Sequence, residues 1–328
     1  MPRLARLILG CTFALLFLWL IVRQIDLSGL SAAYRGTRVQ WLTAGLGMFC
    51  IGYACRIARW RSMLMRDSPR LRWIDCAGPL LASFAANNVL PFRAGDLLRA
   101  LAFNRELGTN SGTVFASLFV ERLLDLLMVL VALGAALKAS GLEANHLIGF
   151  GGDALFGLSL LIAAALFFPQ VFARSARAVS LRATRFAGDF GKRLSSQIAK
   201  AADTLEHLSS GRSMLALLSW SALVWAAEGA VFWATARAFP NLTAPAAGWL
   251  ALPVGTLATL IPSTPGYLGT FDYFTIRAMT VMGNPPVVST AYALVVHALL
   301  WLPPTLSGGI YLLIRARVQL RGMRSDEP

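Results

Sequence analysis

The sequence predicts an all-α polytopic membrane protein, an inverted-topology repeat of six full spans plus two re-entrant helical hairpins. Three observations carry this. Hydrophobic residues make up 56% and charged residues only 14% of the 328, where a soluble domain carries about 25% charged residues; mean hydropathy is +0.61. Six apolar stretches, 4–22, 39–58, 113–137, 154–172, 214–236 and 288–314, have the length of about 20 residues that a helix needs to cross hydrocarbon. Two further apolar stretches, 74–108 and 246–282, are broken near the middle by Pro and Gly. Each reads as a hairpin that enters the bilayer and returns.

The N-terminal stretch MPRLARLILGCTFALLFLWLIV has the basic start and apolar run of a signal peptide. Residues 4–22 are long enough to span, however, and no small-x-small cleavage site follows, so the segment is expected to stay as the first span. Positive charge sets the orientation. With a cytoplasmic N-terminus the inside segments hold 23 Lys or Arg, against 5 outside: Arg23, Arg35, Arg38, Lys138 and Arg237. Both termini are therefore expected in the cytoplasm and the chain in the cytoplasmic (inner) membrane. In that orientation residues 1–137 form the first repeat, 138–173 start the second, and 214–318 complete it. The two halves then run through the same elements in opposite senses, the pattern of secondary transporters with a site near mid-depth. Pro91-Phe-Arg-Ala-Gly95 and Pro262-Ser-Thr-Pro-Gly266 stand at matching points of the two hairpins.

Between the halves, residues 174–213 are basic and carry Val179, Phe186, Phe190, Leu194, Ile198 and Leu205 as a helical stripe. This connector either lies on the anionic inner leaflet or packs on the base of the protein. Trp301-Leu-Pro-Pro304 marks a kink in the last span, and 319–328 reads as a cytoplasmic tail. The net charge of +14 sits in the segments between spans, which argues against a nucleic-acid partner. Cys11, Cys50, Cys55 and Cys76 form no CxxC pair, so no disulfide framework is implied.

Chemistry concentrates where the apolar pattern fails. Ionisable groups at membrane depth are costly and normally face a cavity, a partner or a substrate. The stretch from Asn87 to Asp125 breaks at Pro91, turns through Arg93 and Gly95, and resumes with Asp96 and Arg99. Glu121, Arg122 and Asp125 then lie roughly 12–18 Å into a span starting near Thr113, at about 1.5 Å per residue. Glu121 and Asp125 share a helix face, and Arg122 reaches Asp125 at i,i+3. A helix starting near Gly95, and another near Gly269, would offer free amides and a positive dipole end to phosphate, with Arg93 and Arg99 suited to bidentate contact. The alternative is structural: Asp96 capping its helix and pairing with Arg99, and an ion-pair lattice locking the hairpin to the third span. Glu228, Asp272, Tyr273, Arg277 and His297 are the candidates from the second half, with Pro265, Gly266 and Gly269 shaping its hairpin.

Three motifs in order, LPFRAGDLLRA, VERLLDLL and IPSTPGYLGTFD, resemble the flippase-type transmembrane domain of lysylphosphatidylglycerol synthases. The resemblance extends over about 5–318. It implies movement of a headgroup-bearing lipid across the cytoplasmic membrane, with Arg93, Gly95, Asp96, Arg99, Glu121, Arg122, Asp125, Pro262, Pro265, Gly266 and Gly269 lining or shaping the path. Stand-alone relatives of that domain include some that accompany hopanoid or glycolipid pathways. The aminoacyl-transferase domain of the full-length synthases is absent from this sequence, so synthesis of lysylphosphatidylglycerol is not expected. The expected function is a lipid flippase or transporter, not an enzyme. The rivals are an integral-membrane transferase acting on lipid headgroups, with Asp96 and Glu121 as its acids, and a non-transporting partner of a lipid-synthesis complex. No GxxxxGK[ST] loop, HxxxH or DxxD occurs, so no cofactor or metal is expected, and coupling would use an ion gradient or the lipid gradient. The partners expected are a membrane lipid substrate, anionic inner-leaflet lipids, and a second copy or lipid-synthesis enzymes.

Overall fold

The computed structural model of the chain describes residues 27–90, 93–141, 152–167, 206, 211–261 and 265–325. Every regular element among them is helical. The expected first span at 4–22, nearly all of the connector 174–213, and Pro91 and Pro262 lie outside the described residues.

The helices are α1 (Leu27–Tyr34), α2 (Val39–Leu64), α3 (Trp73–Val89), α4 (Ala94–Ala102), α5 (Asn104–Leu107), α6 (Ser111–Ser140), α7 (Gly152–Phe167), α8 (Gly211–Ala238), α9 (Gly248–Ala258), α10 (Thr270–Val281) and α11 (Pro286–Ser325). Short 3-10 turns at Pro245–Ala247 and Pro265–Tyr267 precede α9 and α10. Helix ends follow local chemistry. Asn110 accepts from the Thr113 amide to start α6, and Gly141, at φ 68°, ends it in the left-handed conformation that glycine tolerates.

The two Pro/Gly-broken stretches are each a helix, a break and a helix whose limbs pack together: α3 against α4, and α9 against α10. Of the expected spans, α2, α8 and residues Pro286–Val318 of α11 are long and apolar enough to cross a bilayer. α6 has the length, 30 residues, but carries Glu121, Arg122 and Asp125 within it. The last helix differs from expectation. It runs unbroken through Pro303 and Pro304 to Ser325, where the sequence suggested a span ending at 314 and a separate tail. Arg315 explains part of this: its Nη2 donates to the Ala102 carbonyl at 2.7 Å, its Nε to Glu106 Oε1 at 2.8 Å, and its guanidinium covers the Phe103 ring.

Small residues set how closely the helices approach. Gly45 and Gly52 on α2 face Ala234 and Ala227 of α8, a seam that brings backbones together as in other membrane helix pairs. On α11 a methyl group at Gly308 would fall 2.1 Å from the Leu81 carbonyl oxygen of α3. The distribution of polarity is inverted relative to a soluble protein. Leu46, Ile51, Phe119, Val131, Leu161, Leu223, Leu306 and Ile310 are exposed, whereas Arg56, Arg59, Arg99, Glu121 and Asp272 are buried. An apolar exterior around a charged interior is what a hydrocarbon solvent selects, and the protein is a membrane protein.

Gly308→Ala meets backbone rather than a movable side chain, so it should destabilise the fold by about 1–3 kcal/mol, as overpacking does. Gly309→Ala, with nothing within 4 Å, should be neutral or slightly stabilising. Thermal unfolding of both variants in the same detergent checks the difference.

Candidate functional site

Two ion-pair clusters organise the interior, one joining the first hairpin to α6 and one joining the long helices α2, α6 and α8. In the first, Arg99 of α4 lies against Glu121 of α6, with Nη1–Oε2 at 3.3 Å and Nη2–Oε1 at 3.1 Å. Arg99 is 0% and Glu121 3% exposed. The guanidinium also covers the Trp60 ring at 4.9 Å, and Trp60 Nε1 is held by Ser117 Oγ. One turn away, Arg122 donates to both oxygens of Asp96 at 3.1 and 3.2 Å. Asp96 is in turn gripped by Asn87 of α3: the Asn87 amide donates to its carboxylate, while Asn87 Oδ1 accepts from the Asp96 backbone amide. Asn87 thus caps α4 from across the hairpin, and Gly95 allows it, since a Cβ there would lie 1.9 Å from the Ser83 carbonyl.

The second cluster uses α2, α6 and α8. Arg59 donates to Asp125 Oδ1 at 2.8 Å and to Ser221 Oγ at 2.9 Å, and Trp225 Nε1 reaches the same Asp125 oxygen. Arg56, three residues earlier on the same helix side, pairs with Glu228 and lies over the Tyr53, Phe84 and Trp225 rings.

The tips of the two hairpins touch. Arg93, at φ 52°, donates from Nε to the Tyr267 hydroxyl at 3.2 Å, and Tyr267 is itself at φ 60°. Both are non-glycine residues in the left-handed region, a strain that persists only where surroundings enforce it. Gly266, at φ 71°, presses against Trp301 and the Asn88 carbonyl, and Asn88 donates to Thr305 on α11. Behind this tip, His297 of α11 sits between Asp272, Nδ1 to Oδ1 at 2.7 Å, and the Gly266 carbonyl, Nε2 to O at 2.9 Å. Asp272 Oδ2 accepts from the Gly269 amide and so starts α10.

These pieces enclose a cavity of about 200 Å³ lined by Arg56, Arg93, Arg122 and Glu228, by Asn87 and Asn88, and by aromatic rings including Phe49, Tyr53, Phe84, Phe271 and Trp301. The surrounding network holds five arginines (56, 59, 93, 99, 122) against four carboxylates (96, 121, 125, 228). Arg93 makes no ion pair among the described residues, and the Arg122 side chain is 33% exposed.

Of the residues singled out in the sequence, Arg93, Arg122, Glu228, Gly266 and His297 line the cavity, while Asp96, Arg99, Glu121, Asp125 and Asp272 stand behind them as partners. Arg99 pairs across to Glu121 at 3.1 Å and, more loosely, along its own helix with Asp96 at 3.9 Å. Pro265 opens the tip turn, and Gly269, at φ 84°, caps α10. Arg277 is not brought to the cavity. It lies five residues after Asp272, a turn of about 140° round the helix, and is exposed; Tyr273 packs with Ile276 and Ala293 instead. Sequence reasoning missed Arg56 and Arg59, which it counted as flanking positive charge. The signal was available: Asp125 and Glu228 lay in apolar helices with too few cations to neutralise them.

The family profile described as "Lysylphosphatidylglycerol synthase TM region" matches residues 7–308. The chain belongs to that family. A second comparison finds the lysylphosphatidylglycerol synthase transmembrane-region chain 23% identical to "Glycosyltransferase AglD" of Haloferax volcanii over 329 residues, covering 90% of this chain and 53% of that protein. The chain therefore spans about half the length of this relative. The family match takes in both hairpins and all the ionised residues of the network.

Arg99→Ala should destabilise the protein by about 3–5 kcal/mol, because it takes from buried Glu121 its hydrogen-bonded counter-charge and leaves only Arg122, 3.6 Å from Oε1, beside it. The double replacement Arg99→Met with Glu121→Met should be less harmful than either single change. Unfolding midpoints of the three variants, compared as a double-mutant cycle, test whether the pair is structural in this way.

Proposed function

We propose that this protein moves a lipid with an anionic headgroup between the leaflets of the cytoplasmic membrane, the headgroup passing through the cavity at the hairpin tips while the acyl chains stay in the bilayer. The observation that carries the reading is the guanidinium charge facing that cavity: Arg93 without a carboxylate among the described residues, and Arg122 one-third exposed. A phosphodiester offers the acceptor oxygens that a guanidinium fork binds. Carrying such a group through bare hydrocarbon costs many kcal/mol, and a protein-lined polar passage removes most of that cost. Trp225 links the network to an apolar groove of about 540 Å³ between α6, α8 and α9, which suits a hydrocarbon chain.

In this reading both termini are cytoplasmic, the two hairpins belong to halves of opposite topology, and the basic connector rests on anionic inner-leaflet lipid. The protein makes and breaks no covalent bond, and its partners are its lipid substrate and lipid-synthesis enzymes or a second copy. A second reading draws on the relative's name: a membrane component of glycosyl transfer to a lipid headgroup, in which the aromatic lining would stack on a sugar. Glu121, locked by Arg99, and Asp96, held by Arg122 and Asn87, make poor acids for such chemistry.

Arg93→Gln removes the unpaired guanidinium without orphaning a buried carboxylate. It should slow inward movement of a fluorescent phosphatidylglycerol in reconstituted vesicles at least ten-fold while costing stability no more than the loss of the one hydrogen bond to Tyr267, about 1 kcal/mol. An unaltered rate in a folded variant would discard the cavity as the route. New covalent product from wild-type protein supplied with activated sugar donors and lipid acceptors would favour the second reading.

A further inference from the structure

The geometry points to a proton-binding site at the second hairpin: Asp272 and His297 together hold one releasable proton, and that proton fastens the hairpin tip to α11. The Gly266 carbonyl can only accept, so the His297 Nε2 facing it at 2.9 Å carries a hydrogen. On the other side of the ring Nδ1 faces Asp272 Oδ1 at 2.7 Å. An ionised carboxylate also only accepts, so the hydrogen between them sits either on Nδ1, giving an imidazolium beside a carboxylate, or on Oδ1, giving a carboxylic acid beside a neutral ring. Asp272 Oδ2 is already committed to the Gly269 amide. Both arrangements contain one proton more than a neutral imidazole beside a carboxylate.

Releasing that proton to water in the cavity leaves two acceptors facing each other. A ring that keeps Nε2–H presents a bare Nδ1 to Oδ1. A ring that keeps Nδ1–H presents a bare Nε2 to the Gly266 carbonyl. Either way one of the two links to α11 opens: the one from the start of α10 through Asp272, or the one from the strained turn through the Gly266 carbonyl. Arg93 on the Tyr267 hydroxyl is a further polar tether of this turn, so the proton and the cavity guanidinium grip the same turn. The pair is 3% and 9% exposed, and His297 lines the cavity. The charged groups that face the same cavity are Arg56 and Glu228, paired with each other, together with Arg93 and Arg122; the Phe271 ring lies edge-on to His297 at 4.9 Å. The use of the proton to drive lipid movement rests on the reading above, whereas the proton count does not.

The chain has three histidines, His146, His207 and His297, so His146→Gln with His207→Gln leaves one ring to observe by nitrogen-15 NMR in nanodiscs. Wild-type His297 should show two ring N–H or a strongly shared Asp272 proton at neutral pH and lose one proton as pH rises. With that loss, amide exchange over residues 265–272, corrected for its intrinsic pH dependence, should rise at least ten-fold. Asp272→Asn keeps the hydrogen bonds: its amide donates to a neutral Nδ1 and its oxygen accepts from Gly269. It should keep the fold, show one ring N–H at every pH and exchange with flat protection. A wild-type ring with a single N–H throughout and no proton on Asp272 overturns the site. In vesicles an applied pH gradient should change lipid movement by wild type and not by Asp272→Asn. If wild type moves lipid indifferently to the gradient, the coupling falls and the flippase reading stands; if it moves no lipid while the ring titrates, the reverse holds.

Discussion

A charge that leaves water must find an opposite charge, and the contact of Arg99 with Glu121 is where this chain meets that demand most fully. Neither side chain reaches solvent, so the short helix α4 has no freedom to leave α6 without exposing an unpaired ion. That single requirement places the first hairpin, and the hairpin in turn places Asp96 against Arg122 and the tip at Arg93. The exterior of exposed Leu, Ile, Phe and Val makes the demand stricter, because there is no water on that side to substitute for a lost partner.

The network reads as two tiers. Arg99, Glu121, Arg59 and Asp125 are enclosed, and their ion pairs hold α2, α4, α6 and α8 in register. Arg93, Arg122 and Arg56 come next and line the cavity: Arg122 and Arg56 reach it while paired with carboxylates, and Arg93 has no ion pair among the described residues. The inner pairs thus fix the positions of the cations that line the cavity. The same logic appears at the second hairpin, where Asp272 both starts α10 and orients the His297 ring.

How much of this could be read from the sequence depends on what kind of signal each residue leaves. The stretch from Asn87 to Asp125 was conspicuous because Arg93, Asp96, Arg99, Glu121, Arg122 and Asp125 interrupt an otherwise apolar pattern, and the hairpin breaks were conspicuous because Pro and Gly cluster at matching points. Arg56 and Arg59 were hidden by position. At the end of an apolar helix a basic residue reads equally as a flanking anchor, and only the partners, 66 and 172 residues away, decide otherwise. Arg277 misled for the opposite reason: its place in an apolar segment says nothing about which side of the helix it takes. The continuity of α11 through Pro303 and Pro304 was obscured because two prolines and a run of arginines resemble a kink and a tail, whereas docking of Arg315 onto α4 and α5 supplies the tertiary support that a local pattern does not contain.

The length of α11 has a mechanical meaning. Forty residues at about 1.5 Å each make a rod of about 60 Å, twice the roughly 30 Å of hydrocarbon. The rod therefore stands well clear of the bilayer at one end. It bears on the first hairpin through Gly308 and Arg315 and on the second through His297, so one continuous helix ties the two hairpins to each other and to its protruding end.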